Sequence, residues 1–337
     1  MDNTTIITEF ILMDISSSRK LQVLQGLLFL VIYLGSLTGN VLTVTVIAID
    51  PHLHFPMYFF IANLSFVDVC YISVTVPKSI INSLTGKKLI SLPACAAQIF
   101  LILSFGITEL AFLVVMSYDR YVAICHPLHY GLIATPRMCA QAVGGSWASG
   151  LVYSAIHTGS IFRLPFTESN VIHQYFCDIP QILRISSSYV KFSEYVLIAV
   201  SSNIILVCLI ILFMSYVNIF STVLNMCSAE ARKKALSTCT PQLVILILFV
   251  ISALIAALGP LSNKASLKNL LIAMFYTMVP PFINPIIFSL RNRDINIALR
   301  RMFNRWILED ESCILELEGT SPTRKPTRGR KGSPESS

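Results

Sequence analysis

Apolar residues fall into seven long runs separated by short polar segments. The runs cover residues 21–49, 57–81, 95–123, 140–162, 195–229, 235–263 and 269–290. A helix needs about 20 apolar residues to cross a hydrocarbon layer about 30 Å thick, and each run is long enough. Membrane strands are roughly half this length or less and alternate apolar with polar residues, which these runs do not do. The pattern therefore predicts seven transmembrane helices.

Composition supports a membrane location for these runs. The chain has 337 residues, of which 54% are hydrophobic and only 13% charged, with a mean hydropathy of +0.70. Soluble domains carry roughly 25% charged residues, so a water-soluble core does not explain this sequence. Helices satisfy their own backbone groups in lipid. We therefore expect an all-α integral membrane protein built as a seven-transmembrane helix bundle.

The polar segments at the two ends complete the predicted organisation. Residues 1–20 form a polar segment without the apolar core of a cleavable signal peptide, so the first span is expected to insert as an uncleaved anchor. The bundle covers residues 21–290 without internal repeats or matching halves. Residues 291–306 alternate apolar and basic side chains, which predicts a short amphipathic helix on the membrane surface. Residues 307–337 are polar and rich in Pro, Gly and Ser, which predicts disorder.

The orientation of the bundle rests on three features. The chain has 25 Lys and Arg residues, but the loops alone show little bias, and most of the excess follows the last span. Asn3-Thr4-Thr5 matches a glycosylation sequon, which fits an extracellular N-terminal segment. Cys95 and Cys177 fall on the same outer face, where an oxidising compartment would join them. We expect an extracellular N-terminus and a cytoplasmic C-terminus.

Several longer motifs occur in order along the chain. They read PMYFFIANLSFVDVCYISVTVPK at residues 56–78, MSYDRYVAICHPLHY at 116–130, KALSTCTPQL at 234–243 and PPFINPIIFSLRNRDI at 280–295. Together they resemble the signature of the olfactory receptors, a branch of the rhodopsin-like G-protein-coupled receptors. The resemblance implies a plasma-membrane receptor that binds a small volatile odorant and activates a stimulatory heterotrimeric G protein to raise cyclic AMP.

The same resemblance implies roles for residues at the cytoplasmic ends of the helices. Asp119-Arg120-Tyr121 and Tyr216 match the region that couples to the G protein, with Arg120 leaving Asp119 when the receptor is activated. An Arg that merely extends to the lipid head groups is the plainer alternative. The matching activation hinge is formed by three residues of the last span, namely Asn284, Pro285 and Phe288. Phe288 stands where most rhodopsin-like receptors have Tyr, so one hydroxyl contact of the active state is missing.

Asp68 and Glu109 are predicted to be the carboxylates deep in the membrane. Burying either one as an isolated ion costs at least about 2.5 kcal/mol, so each should face the interior of the bundle. The resemblance implies a Na⁺ site that favours the inactive packing. Two alternatives stay open, namely two protonated acids in a polar patch and an ion path of a transporter or channel.

The predicted odorant pocket lies in the outer half of the bundle. Helical spacing puts four residues of the third span on one stripe, and such a stripe is more often plain packing. The resemblance nevertheless places the odorant pocket there and adds two positions of the sixth span. Because Val250 replaces a Tyr that is frequent in olfactory receptors, we expect a mainly apolar pocket. The pocket residues are Ile102, Leu103, Gly106, Ile107, Val250 and Ser252.

Other functional classes find little support in the sequence. No catalytic constellation appears, and the six histidines make no closed ligand set for a metal. Gly35-xxx-Gly39 fits either a dimer face or close packing within one bundle. We therefore expect neither an enzyme nor a resident metal, and no nucleic-acid partner. The expected partners are odorant, G protein, membrane lipids and trafficking chaperones.

Overall fold

The computed structural model describes residues 7–13, 18–164, 166, 169–258 and 267–317. Long helices dominate this part of the chain. The helices are α1 Arg19–Ile49, α2 Pro56–Thr85, α3 Leu92–Cys125, α4 Pro127–Ile133, α5 Pro136–Ile161, α6 Ile179–Arg184, α7 Ser188–Leu224, α8 Ala229–Leu258, α9 Leu267–Arg291 and α10 Arg293–Leu317, with a 3-10 turn at Pro51–Leu53. Three short strands accompany them, β1 Glu9–Leu12, β2 Leu89–Ser91 and β3 Val171–Ile172.

The seven predicted spans correspond to α1, α2, α3, α5, α7, α8 and α9. Within the described residues, six of these helices are long and apolar enough to cross a membrane by composition. The remaining one, α5, is 26 residues long but carries small and hydroxyl-bearing residues such as Gly144, Gly145 and Ser146. These residues lower its hydropathy and let it pack closely against α3. The seven-helix bundle is confirmed.

Large apolar side chains cover the outside of the bundle. Phe192, Ile204 and Phe213 of α7 are each more than 60% exposed. A soluble domain would bury such side chains, whereas here they are positioned to contact lipid. The buried side chains fall into an inner core around Leu113 and Phe288, an outer cluster around Phe10, and a third cluster between α1, α2 and α9.

The last span carries three prolines, and α1 compensates for one of them. Pro285 has no N–H to donate to the carbonyl of Pro281, four residues earlier. That carbonyl instead accepts hydrogen bonds from Asn40 Nδ2 at 2.8 Å and Ser36 Oγ at 2.9 Å. All four residues lie in the membrane part of the bundle, where an unpaired carbonyl would be costly. Asn40 and Ser36 therefore join α1 to the bend in α9.

Gly35 and Gly39 allow this close approach of α1 and α9. A Cβ on Gly35 would lie 2.8 Å from the ring of Phe282, and one on Gly39 would lie 2.9 Å from Pro285. Both glycines thus face a neighbouring helix of the same bundle. Of the two interpretations left open by the sequence, the structure shows packing within the bundle.

The segment after the last span differs from the prediction. Its helix, α10, continues to Leu317, eleven residues past the boundary expected at residue 306. Residues 307–317 are rich in Leu, Ile and Glu, which are good helix formers, so the amphipathic helix does not stop where the basic stripe ends. The disorder expected from residue 307 is therefore wrong for 307–317. The rest of that segment lies outside the described residues.

Candidate functional site

A three-stranded sheet closes the outer end of the bundle. β1 lies in the middle, antiparallel to β2 and parallel to β3. Phe10 of β1 is fully buried and packs edge-to-face on Phe166, with ring centroids 5.3 Å apart. These strands are not predictable from the sequence, because each has only two to four residues, too few for a periodic pattern. We call these three strands, with residues 169–178 after α5, the lid, and β1 is its contribution from the N-terminal segment.

A disulfide fixes this lid to the third span. Cys95 near the start of α3 is bonded to Cys177 in the loop after α5, as predicted, with the two Cα atoms 5.5 Å apart. Gln98, one turn further along α3, accepts a hydrogen bond from the Cys177 N–H at 2.8 Å and donates one to the Val74 carbonyl at 3.0 Å. The disulfide and Gln98 join the loop, α2 and α3 at one point.

Side chains next to Cys177 also connect the lid to the last span. Tyr175 Oη and Thr277 Oγ1 are 2.7 Å apart, and Tyr276 donates its hydroxyl to Asp178 Oδ2 at 2.8 Å. Burial raises the pKa of Asp178 from 3.8 to about 6, although the hydrogen bonds from Tyr276 and the Ile179 N–H oppose this shift. The lid is thus fastened to α2, α3 and α9.

The predicted pocket residues of α3 border two different clusters. Ile102 packs against the cluster between α1, α2 and α9, whereas Leu103 packs against the outer cluster under the lid. Ile107 is half-buried. A Cβ on Gly106 would meet no atom within 4 Å, so the backbone of α3 faces open space there.

The two pocket residues of α8 differ in their surroundings. Val250 is half-buried and packs against the inner core. Ser252 is 4% exposed, and its hydroxyl has no hydrogen-bond partner among the described residues. Ser252 is therefore the residue of α8 whose hydroxyl is available to a polar ligand atom.

Asp68 and Glu109 lie in the bundle interior, with exposures of 0% and 4%. Asn284 of α9 donates its amide to Asp68 Oδ2 at 2.9 Å. Within the described residues, four buried oxygens of this region have no hydrogen-bond partner: Asp68 Oδ1, Glu109 Oε1, Asn284 Oδ1 and Ser65 Oγ. Oxygen atoms of this kind suit a hard cation such as Na⁺. These four oxygens therefore fit as ligands of the Na⁺ that the resemblance implies.

A third carboxylate, Glu194 near the outer end of α7, is also fully buried, which the sequence did not predict. Its Oε1 contacts Nδ1 of His157 on α5 in a direct ion-pair geometry. Tyr153 stacks on the His157 ring with centroids 4.3 Å apart. Glu194 was missed because it lies one residue outside the fifth apolar run. The sequence signal that could have indicated this pair is His157 in the neighbouring fourth span.

The inner end of α3 carries the ion pair that the sequence indicated. Arg120 donates to Asp119 Oδ2 from Nη2 at 2.6 Å and from Nε at 3.1 Å. Tyr130 of α4 donates its hydroxyl to the other carboxylate oxygen at 2.9 Å. Burial and the neighbouring Asp119 charge raise the pKa of the Tyr130 phenol. Asp119 thus holds both Arg120 and the second inner loop.

Tyr121 and Tyr216 both contact the inner core. Tyr121 Oη is 3.1 Å from Nε2 of His126 at the end of α3. Tyr216 of α7 is 5% exposed, and its hydroxyl has no partner among the described residues. Phe288 of α9 is 1% exposed and belongs to the same inner core as Tyr216. Two predicted coupling residues, Tyr121 and Tyr216, therefore share one packed region with the hinge residue Phe288.

The glycosylation and metal predictions concern other residues. The sequon asparagine, Asn3, lies outside the described residues. Among the residues that the structure describes, no group of three His, Cys, Asp or Glu side chains could hold a metal ion.

His52 binds Asp50, which also contacts Arg301 of α10 at 3.4 Å. These contacts join the first inner loop to α10.

The fold is that of a rhodopsin-like seven-helix receptor. The crystal structure of squid rhodopsin superposes with a TM-score of 0.65, covering 88% of each chain at 21% sequence identity. A family model described as olfactory receptor matches residues 29–305. Olfactory receptor 14I1 of Homo sapiens is 52% identical over 303 residues, covering 90% of this chain and 97% of that one. Olfactory receptor 14J1 of Homo sapiens is 46% identical over 316 residues, covering 94% and 98%.

This chain belongs to the olfactory receptor family. It is therefore a multi-pass membrane receptor that binds odorants and signals through G proteins, and not an enzyme. Membership also excludes the transporter or channel interpretation of Asp68 and Glu109.

Proposed function

We propose that this receptor binds a small, mainly apolar volatile odorant beneath the lid and activates a stimulatory heterotrimeric G protein, which raises cyclic AMP. The observation that carries the proposal is the Asp119–Arg120 pair at the inner end, where two hydrogen bonds hold a guanidinium that a G protein would have to recruit. The receptor would act at the plasma membrane with its N-terminus outside, reaching it with trafficking chaperones. Glycosylation at Asn3 would mark the same outer face.

The proposed odorant site is the space beside Gly106, bounded by Ile102, Leu103 and Ile107 of α3. Apolar side chains supply most of the contact, and the Ser252 hydroxyl of α8 supports binding of one oxygen or nitrogen of the ligand. Val250 would extend the apolar wall. An odorant that draws α8 toward α3 at this level would tilt the inner half of α8, because both helices are rigid over several turns.

At the inner end, Arg120 would leave Asp119 and meet the G protein. Asp119 would keep the Tyr130 hydroxyl as a donor, so its carboxylate would lose its ion pair but not all of its hydrogen bonds. Tyr216 and Tyr121 border the same region and would contact the rearranged Arg120. Asn284 and Pro285 would provide the hinge, with the apolar ring of Phe288 in place of a hydroxyl.

Na⁺ would bind among Asp68, Glu109, Asn284 and Ser65 and favour the inactive packing. The support is chemical, because these residues supply several buried oxygens without hydrogen-bond partners among the described residues. The cation would supply one positive charge, which offsets the charge of one of the two carboxylates. Replacing Asp68→Asn should abolish any effect of Na⁺ on basal signalling, and an unchanged effect would contradict this site.

The experiment that tests the function is a volatile-library screen with cyclic AMP as the readout in cells expressing the receptor. An agonist should raise cyclic AMP, and Arg120→Ala should abolish the response at unchanged surface expression. The matched control is Arg163→Ala, which removes an exposed cation outside α3 and should leave the response intact. A full response in Arg120→Ala would contradict the proposed coupling.

A further inference from the structure

An apolar groove runs along the outside of the bundle at its inner end. It has a volume of about 530 Å³ and lies between α1, α2 and the start of α5. Ligand pockets typically enclose about 300–1,000 Å³, so the groove has the size of a small-molecule site. Its lining includes Ile47, Ala48, Phe59, Ala62 and Cys139.

The groove combines a buried floor with an exposed rim. Leu53 and Ile47 are 1% and 5% exposed and belong to the inner core, as does Cys139. Phe55 and Phe59 at the rim are 61% and 43% exposed. Because the helices around the groove are spans, this rim meets lipid, and filling an apolar groove with hydrocarbon is more favourable than filling it with water.

One end of the groove has a polar lining residue and lies beside a cationic residue. His54 is part of the lining, and so is Pro136 at the start of α5. Arg137 follows Pro136 and is exposed. The first turn of α5 adds the positive end of a 26-residue helix, where Thr135 Oγ1 caps the Met138 N–H and does not cap that of Arg137.

A carboxylate four residues before His54 does not cancel the charge of Arg137. Asp50, at the end of α1, accepts hydrogen bonds from the His52 N–H and ring and also contacts Arg301. Its charge is thus matched within its own cluster. The groove therefore offers hydrocarbon contacts along its length and one cationic side chain, Arg137, directly after a lining residue at one end. This combination matches a phospholipid with a negative head group.

We propose that this groove binds an anionic phospholipid, with one acyl chain between α1, α2 and α5 and the head group beside Arg137 and His54. The leaflet is the one at the end of the bundle that carries Asp119 and Arg120. The bound acyl chain would cover Leu53 and Cys139, which belong to the inner core. The lipid therefore stabilises the packing of α1 and α2 against α5.

Native mass spectrometry of the purified full-length receptor tests this site. The receptor is incubated with phosphatidylserine and phosphatidylcholine of identical acyl chains, and bound lipid is counted at increasing concentration. We expect one phosphatidylserine to bind in preference to phosphatidylcholine. Arg137→Gln should lower the phosphatidylserine affinity about fivefold, the effect of one cation near a head group, and leave phosphatidylcholine binding unchanged. Arg163→Gln, on the opposite end, should change neither affinity.

A second variant tests the acyl-chain half of the site. Ala48→Phe places a ring in the groove and should remove the tightly bound lipid, whereas Ala199→Phe on the exposed surface of α7 should not. The melting temperature of each variant without added lipid reports whether it is folded. Soluble glycerophosphoserine should not compete, because it lacks the acyl chain. The proposal would be overturned if the two phospholipids bound equally well or if glycerophosphoserine competed. It would also be overturned if a sterol displaced the lipid or if folded Ala48→Phe bound the lipid fully.

Discussion

The two ends of the bundle are closed by different kinds of interaction. The outer end has a disulfide, a three-stranded sheet, and hydrogen bonds from the lid to α2, α3 and α9. The inner end is held by the Asp119–Arg120 pair, the Tyr130 hydroxyl and a contact of 3.3 Å between Cys125 and Thr222. The outer end is thus covalently fixed, while the contacts at the inner end are reversible. Such an arrangement lets a ligand site keep its shape while the coupling surface rearranges.

Loss of the Cys95–Cys177 disulfide should lower the stability of the receptor more than any other predicted change. Cys177→Ser removes the disulfide that closes a loop of 82 residues, and loss of a native disulfide typically costs about 2–5 kcal/mol. We expect a large fall in melting temperature and in surface expression. Cys208→Ser is the control, since Cys208 is a free thiol on α7. Equal losses in both variants would point to a general sensitivity to cysteine replacement.

The pH dependence of stability should also originate at the outer end. Asp178 binds its proton more tightly in the folded state, with a pKa of about 6, than at the ordinary value of 3.8. The resulting stabilisation is full below about pH 4 and is lost as the pH rises through about 6, a change on the order of 3 kcal/mol. Asp178→Asn should flatten this profile, because an amide oxygen still accepts from Tyr276.

Melting temperatures from about pH 4 to about pH 7 measure this effect. Glu9→Gln removes an exposed carboxylate of the same lid and should leave the slope as it is. If the slope persists in Asp178→Asn, another group causes it.

Between the two ends, the packing of α3 on α5 depends on Gly150. A Cβ at this position would overlap the Ser104 carbonyl oxygen and the Thr108 hydroxyl. Gly150→Ala should therefore separate the helices and destabilise the receptor by about 1–3 kcal/mol. Gly159→Ala lies on the same helix and would meet no atom within 4 Å, so it should be neutral or slightly stabilising. Thermal unfolding of the two variants distinguishes a steric effect at Gly150 from a general effect of replacing glycine.

The smallest expected effect concerns the bend of α9. Asn40→Ala leaves the Pro281 carbonyl with Ser36 as its remaining donor, and hydrogen bonds between membrane helices contribute about 0.6–2 kcal/mol. A modest fall in melting temperature is expected. Asn63→Ala serves as the control, because its amide donates to a carbonyl of its own helix, Phe59. If both variants lowered the melting temperature equally, the hydrogen bond from α1 to α9 would have no special role in stability.

The helices were predictable from sequence, and the contacts between them mostly were not. Hydrophobic run length fixes the spans because each must cross the bilayer, and that held even for α5 with its small residues. The Cys95–Cys177 bond followed from placing both residues on one face. Glu194 with His157 and the capture of the Pro281 carbonyl by Asn40 depend on which helices are neighbours. The strands of the lid are too short to leave a pattern.

Hydrogen–deuterium exchange of Asp119→Asn beside the unaltered receptor tests the contrast between the two ends most directly. The substitution weakens the reversible contacts of Arg120 and leaves the disulfide intact. We predict faster exchange in residues 121–134 and in the turn between α7 and α8, with unchanged protection of β1, whose amides at Ile11 and Leu12 donate within the lid. An equal rise in exchange rate at both ends, or an unchanged exchange rate at the inner end, would contradict this contrast.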